Sequence, residues 1–315
     1  MKVQPAEKGG RAPNAERGGL VLVTGGAGFI GSHLVDALIG RGFAVRVIDN
    51  FATGRPEQVN PAAELIRADI RNLAAIREAF NAVACVFHVA ALPRVPISIE
   101  RPIETHMTNV VGTLTVLVAA RDAGVKRFIY SGSSSVYGTQ LALPLREDMT
   151  PNPMSPYALQ KLVGEQYTRL FHQLYAMETL TLRYFNVFGP RMTEGGAYST
   201  VISSFLRARR AGQPLPINGD GEQTRDFTHV RDVVRASLLA LDCPLADGRA
   251  LNIGRGRAVS VKRLAELVGG PTVLCPPRIG EPLHTLADCT QAREVLGWQS
   301  EIGVEEGIAE LQAAG

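Results

Sequence analysis

The chain has 315 residues, 45% of them hydrophobic and 20% charged, with a formal net charge of +3; that size suits one large domain plus a smaller lobe. The balance is that of a globular protein and is too weakly basic for a nucleic-acid binder, so the run Arg207, Arg209, Arg210 reads as a solvated helix face. No apolar stretch reaches the ~18 residues of a membrane-spanning helix. Cys85, Cys243, Cys275 and Cys289 have neither metal-ligand nor motif spacing and are expected as reduced thiols in a cytoplasm.

Residues 1–19 are rich in Gly, Pro, Lys, Arg and Glu and lack an apolar signal core, so a disordered extension is expected there. The apolar run 20–23 then leads into Gly25, Gly28 and Gly31, with Phe29 and Ile30 between the last two, and an amphipathic helix follows to Gly40. Glycines at this spacing permit a tight turn and let backbone amides approach a pyrophosphate at the positive end of the helix. A second strand, residues 44–48, ends in Asp49 with Asn50 beside it, eighteen residues after Gly31. A carboxylate there accepts hydrogen bonds from an adenosine ribose and repels a 2′-phosphate, which indicates NAD rather than NADP, although Arg46 and Arg55 lie nearby.

Further strands are expected at 64–67, 84–88, 127–131 and 179–185, with long helices at 103–123 and 156–176. Near-continuous apolar strands between helices indicate a parallel sheet covered on both faces. The expected fold is therefore α/β: a Rossmann-type doubly wound parallel sheet over 20–189, with a smaller C-terminal α/β substrate lobe over 190–315. Beyond Gly189 strands are short and prolines and glycines frequent, which suggests that smaller lobe; segments near 226–255 are expected to return to the main domain, as pieces of such lobes usually do. Short helices are expected at 200–210, 230–241 and 261–267.

On the helix 156–176, Tyr157 and Lys161 stand one turn apart on a single face. A phenol titrates near ~10 and is a weak base at neutral pH. A neighbouring cation lowers that value, and a shift of about three units needs roughly 4 kcal/mol. The serine cluster 133–135 follows the fifth strand at the carboxyl edge, where such sheets bind ligands.

These motifs, in this order, resemble the extended short-chain dehydrogenase/reductase family, and within it the NAD-dependent nucleotide-sugar 4-epimerases. The likeness runs from Leu20 to about Gly307 and includes Thr24–Gly31, Asp69, His88-Val89-Ala90-Ala91, Asn109, Ser133, Tyr157, Lys161 and the stretch Arg183 to Pro190. The resemblance implies that Asp69 and Ile70 contact adenine and that Ala90 and Ala91 line the cofactor passage. It further implies that Asn109 orients the active-site helix, and that Lys161 holds the nicotinamide ribose and depresses the Tyr157 pKa. Ser133 would bind the sugar oxygen with Ser134 beside it, and Asn186, Arg225 and Arg278 would grip the nucleotide diphosphate. A homodimer pairing the two long helices is also implied.

Dehydratases and uronate decarboxylases of this family carry carboxylates after the catalytic hydroxyl residue, where this chain has Ser134 and Ser135; both chemistries are disfavoured. Asn186 and the stretch Met192–Tyr198 resemble hexose epimerases more than uronate epimerases. Thr285 matches the family's gate beside the sugar 2-substituent and leaves room for an N-acetyl group. UDP-GlcNAc/UDP-GalNAc and UDP-Glc/UDP-Gal are the expected substrates, with a uronate epimerase or another nucleotide-sugar enzyme as the catalytic alternative and an NAD-binding regulator as the non-catalytic one. No metal is expected. Pro93-Arg94 departs from the lysine or small residue common in the substrate loop.

Overall fold

Strands that are apolar at every position must be covered on both faces, and the computed structural model, which describes residues 19–192, 200–277, 280 and 282–314, places them so. In chain order come β1 (Leu20–Thr24), α1 (Phe29–Gly40), β2 (Ala44–Asp49), β3 (Glu64–Arg67), α2 (Leu73–Ile76) and β4 (Val83–His88). Then follow α3 (Val95–Glu100), α4 (Pro102–His106), α5 (Thr113–Asp122), β5 (Arg127–Ser133), α6 (Pro156–Tyr175) and β6 (Glu178–Tyr184). The later part carries β7 (Val187–Phe188), α7 (Val201–Arg210), β8 (Leu215–Asn218), β9 (Thr224–Asp226), β10 (Thr228–His229) and α8 (Val230–Leu241). It closes with β11 (Asp247–Ile253), β12 (Ala258–Ser260), α9 (Val261–Val268), β13 (Thr272–Cys275), α10 (Thr290–Leu296) and α11 (Val304–Ala313).

Seven strands form one sheet in the order β11-β6-β5-β4-β1-β2-β3, every pair parallel. This is the doubly wound Rossmann-type α/β fold. The chain runs outward from β1 to β3, then restarts at β4 on the other side of β1, which opens a crevice above the carboxyl ends of β1 and β4. Alternation along β1 supplies both cores. Val21 and Val23 join Leu34, Leu38, Val233 and Trp298 on one face, whereas Leu22 joins Val86, Phe128, Leu117 and Phe171 on the other.

Residues Val230–Ile253 leave the C-terminal part to add α8 and β11 to the main sheet, with Ala250 paired to Thr181. The remainder packs about its own cluster of Phe205, Leu215, Ile217, Phe227, Leu264 and Ile308. One expected element differs. The helix 103–123 is interrupted by a wider π turn at Met107–Gly112 between α4 and α5, and Asn109 sits in that turn. A residue inserted in a helical ladder re-aims the side chains around it, a pattern common at functional sites.

Candidate active site

Local packing shapes a cradle at the sheet's carboxyl edge. Gly25 has φ +75°, and a Cβ there would lie 2.7 Å from the Ala90 backbone. At Gly31 a Cβ would fall 2.1 Å from the Gly25 carbonyl oxygen, so the loop and the first turn of α1 interlock in a way that only glycine permits. α1 starts at Gly28 without a side-chain cap, which leaves its first amides for an anionic ligand. A cleft of about 690 Å³ opens here, lined by Gly25, Gly28, Phe29, Ile30 and Gly31 at one end. These features fit a dinucleotide.

The acidic residues of this end are arranged differently from the sequence reading. Asp49 spans the loop: its Oδ2 accepts from the Ala27 amide at 3.0 Å and its Oδ1 from the Phe51 amide at 2.8 Å. It still lines the cleft with Asn50, so each oxygen keeps a lone pair for a ribose. Asp69 does not line the cleft. Arg71 grips its carboxylate at 2.9 and 2.6 Å and Asn50 donates to it at 3.1 Å. The Arg71 bonds chiefly hold its pKa at about 2. Ile70 and Arg71 reach the cleft instead, and nothing in the sequence singled out Arg71.

At the other end of the cleft the structure brings together Ser133, Ser134, Tyr157 and Lys161. Ser155 caps α6 by accepting from the Ala158 amide at 3.2 Å, and Pro156 occupies the first helical position. Helix start, and therefore the placement of Tyr157, is thus set by two adjacent residues. The Ser133 hydroxyl, which itself bonds Ser135 Oγ at 2.9 Å, favours the charged form of the Tyr157 phenol, as does the Arg94 charge. Burial is the larger effect and holds the phenol above its ordinary value.

Lys161, one helical turn on, is itself buried. The ammonium donates to the Ser131 carbonyl at 2.9 Å and lies 5.1 Å from the Tyr130 ring centre. Burial alone lowers it to about 8. Asn109 lies behind the cleft and fastens two of its walls. Its Oδ1 accepts from the Leu92 amide at 2.8 Å, and its Nδ2 donates to the Leu92 carbonyl at 3.0 Å and to Gln160 Oε1 at 2.8 Å. It therefore orients α6 through the neighbour of Lys161 and holds the strand end that follows Ala90 and Ala91, both of which line the cleft.

His88 is buried in the same framework. Thr113 donates to the Asn109 carbonyl at 2.7 Å, so it must accept from His88 Nε2 at 2.9 Å. The Nδ1 atom then accepts from the Thr24 hydroxyl at 2.7 Å. Burial pushes this histidine down to about 3, with the Lys161 charge acting the same way, so it stays neutral.

On the substrate side, Asn186, Arg225 and Thr285 line the cleft, whereas Arg278 and residues 193–198 lie outside the described residues. Their common anchor is Asp226, which the sequence reading did not mark. Its carboxylate accepts from the amides of Arg255 (2.6 Å), Gly256 (2.9 Å) and Ala287 (3.0 Å). Its amide donates to Thr285 Oγ1 at 3.3 Å, and its carbonyl accepts from Asn186 Nδ2 at 3.2 Å. Burial outweighs those three donors and raises the Asp226 pKa to about 6.

Sheet, glycine cradle and Ser/Tyr/Lys cluster together define a dinucleotide-dependent enzyme of the extended short-chain dehydrogenase/reductase type. Residues 21–254 match the model of the NAD dependent epimerase/dehydratase family. The chain belongs to that family, and its cofactor is NAD. It is 40% identical over 297 residues to a putative UDP-glucose 4-epimerase of Methanocaldococcus jannaschii, covering 92% of this chain and 96% of the relative. Among solved structures it is similar to a UDP-glucose 4-epimerase of Thermotoga maritima with UDP-glucose, at 37% identity and a TM-score of 0.90 over 93% of this chain and 97% of that one. A UDP-N-acetylglucosamine 4-epimerase of Methanobrevibacter ruminantium in complex with UDP-N-acetylmuramic acid is 33% identical, with a TM-score of 0.88 over 95% of this chain and 100% of that one. Among the described residues no helix is long and apolar enough to cross a membrane, and no side-chain cluster could hold a metal ion.

Proposed function

We propose that this chain is an NAD-dependent 4-epimerase of UDP-hexoses, acting on the UDP-GlcNAc/UDP-GalNAc pair and on UDP-Glc/UDP-Gal. The observation that carries the reading is the company Tyr157 keeps. Ser133 lines the same cleft and favours the charged phenol, Lys161 is one helical turn away, and the positions after Ser133 bear only hydroxyls. The carboxylates lining the cleft among the described residues, Asp49 and Glu104, sit with Asn50 and Arg71 at the adenosine end. A dehydration or an assisted decarboxylation needs an acid–base pair beside the sugar, and epimerisation does not.

In this reading Ser133 orients the C4 oxygen, and Tyr157 takes its proton; Lys161, together with the positive nicotinamide of bound NAD, would offset the burial that raises the phenol. NAD, which the Gly25–Gly31 cradle and Asp49 would hold, would supply the hydride acceptor for C4 and the donor for its return to the other face of the 4-keto sugar. Tyr157 then gives the proton back. Lys161 holds positive charge under the ribose side of the cleft, and Asn109 keeps its helix in place through Gln160. Thr285 leaves space beside the sugar 2-position, which supports acceptance of an N-acetyl group.

The proposed partner is a second copy of the chain. Ile103, Leu159 and Leu174 are 79%, 52% and 67% exposed within 103–123 and 156–176, the helical stretches that a homodimer would pair. The test is incubation of the purified protein with UDP-GlcNAc, UDP-Glc and UDP-GlcA separately, without added NAD, with the products resolved chromatographically. C4 epimers of the first two support the reading; conversion of UDP-GlcA alone replaces it with a uronate epimerase. Tyr157→Phe should lose about a hundred- to ten-thousandfold in turnover while retaining its NAD.

A further inference from the structure

Beyond the 690 Å³ cleft lies a second cavity of about 490 Å³, lined by Asn218, Arg225, Phe227 and Val261 among others. The two are parts of one ligand space, because Arg94, Val95, Asn186, Arg225 and Pro282 border both. Two guanidinium-bearing residues therefore stand at the seam. Arg225 is directed by its own surroundings, donating to the carbonyls of Thr224 and Leu283 at 3.0 Å each. Arg94 comes from the opposite wall, on the loop that the Asn109–Leu92 bonds fasten.

The backbone at Arg94 is costly for the residue it carries. Its φ and ψ are 96° and 124°, a region that disfavours any side chain by roughly 1–3 kcal/mol and suits glycine. The Ser98 amide donates to the Arg94 carbonyl at 3.2 Å, which ties this backbone to the first turn of α3. An arginine at this position is thus a choice of side chain, made against local conformational preference. Arg94 lines the same cleft as Ser133, Tyr157 and Lys161.

We propose that Arg94 is a specificity-determining residue whose guanidinium binds an oxyanion of the nucleotide sugar, either the diphosphate or a carboxylate on the sugar, at the seam between the two cavities. This rests on the reading of the chain as a UDP-sugar enzyme. An oxyanion leaving water for an apolar cleft must be paired to enter. A planar guanidinium meets two of its oxygens at once, which a lysine or small residue cannot do.

Arg94→Gly removes the side chain while matching the backbone, and Arg94→Lys keeps the charge without the fork. Both are assayed as purified proteins for retained NAD, for UDP binding by calorimetry, and for kcat and KM on UDP-Glc, UDP-GlcNAc and UDP-GlcA. If Arg94 holds the diphosphate, the glycine variant loses roughly ten- to a hundredfold in UDP affinity and KM rises alike for every sugar that is turned over, with partial rescue by lysine. If it reads a carboxylate, UDP affinity and the neutral sugars are unaffected and only the UDP-GlcA parameters worsen. Unchanged UDP affinity together with unchanged KM on all sugars, in a variant that retains NAD, overturns the proposal. A wild-type chain that neither binds UDP nor converts any of the three sugars sinks the underlying function instead, and this inference with it.

Discussion

The two ends of the ligand space are built on opposite plans. The NAD end uses residues close in sequence, Gly25 to Gly31 and Asp49 to Asn50, at the ends of adjacent parallel strands. The substrate end gathers Arg94, Asn186, Arg225 and Thr285 from four separate segments, three of which are tied together by the single carboxyl residue Asp226. Contiguous construction makes the first end rigid and intolerant of added atoms. Assembly around a buried hub makes the second adjustable, since its geometry changes by altering one anchor or one lining side chain.

The largest expected effect tests the rigid end. Gly31→Ala places a methyl where only 2.1 Å separates it from the Gly25 oxygen, so the cradle must open. Retained NAD should be lost and activity without added cofactor should fall at least about a hundredfold, as misplacement by about 1 Å does. Absorption and mass spectrometry of the purified protein report the cofactor, and a variant that keeps NAD and full activity breaks the contrast.

Asp226→Asn probes the adjustable end. It withdraws an acceptor from backbone amides worth about 1–3 kcal/mol when left unpaired, so KM for the UDP-sugar should rise roughly tenfold with kcat and NAD content little changed. Protonation acts on the same hub. Since the folded pKa of about 6 lies above an aspartate's ordinary 3.8, acidification through it favours the folded over the unfolded chain as far as this group is concerned. Lowering the pH from about 7 to about 5 should therefore raise KM without any loss of stability from Asp226, and the asparagine variant should lose that part of the pH response. A KM independent of pH across this window would separate Asp226 from substrate binding.

The smallest effect is a change of ratio. Thr285→Tyr should lower kcat/KM for UDP-GlcNAc relative to UDP-Glc by roughly tenfold or more, the scale on which a filled pocket discriminates. An unchanged ratio removes Thr285 from the role of gate.

Much of the NAD end was legible from residue order alone. Glycine spacing, an apolar strand ahead of it and an acidic residue at the next strand end are local properties of the chain, and strand-to-helix alternation specifies which sheet they belong to. The Tyr157 and Lys161 pair was legible for the same reason, because one helical turn fixes their common face. What they do to each other was not. The displacement of Lys161 toward Ser131 and the upward pull of burial on Tyr157 depend on how deeply α6 packs, a quantity no short stretch of sequence contains.

Amino-acid sequence by itself determined the sheet, the cofactor loop and the residues able to do proton chemistry, since each follows from periodicity, glycine geometry or helical spacing within a few neighbours. Tertiary structure alone decided that a π turn aims Asn109 at both Leu92 and Gln160, that Asp226 is the hub of the substrate wall, and that Arg94 reaches the seam of two cavities. Those facts depend on contacts between residues dozens of positions apart, where packing, desolvation and long-range hydrogen bonds set position, and local preference has no say.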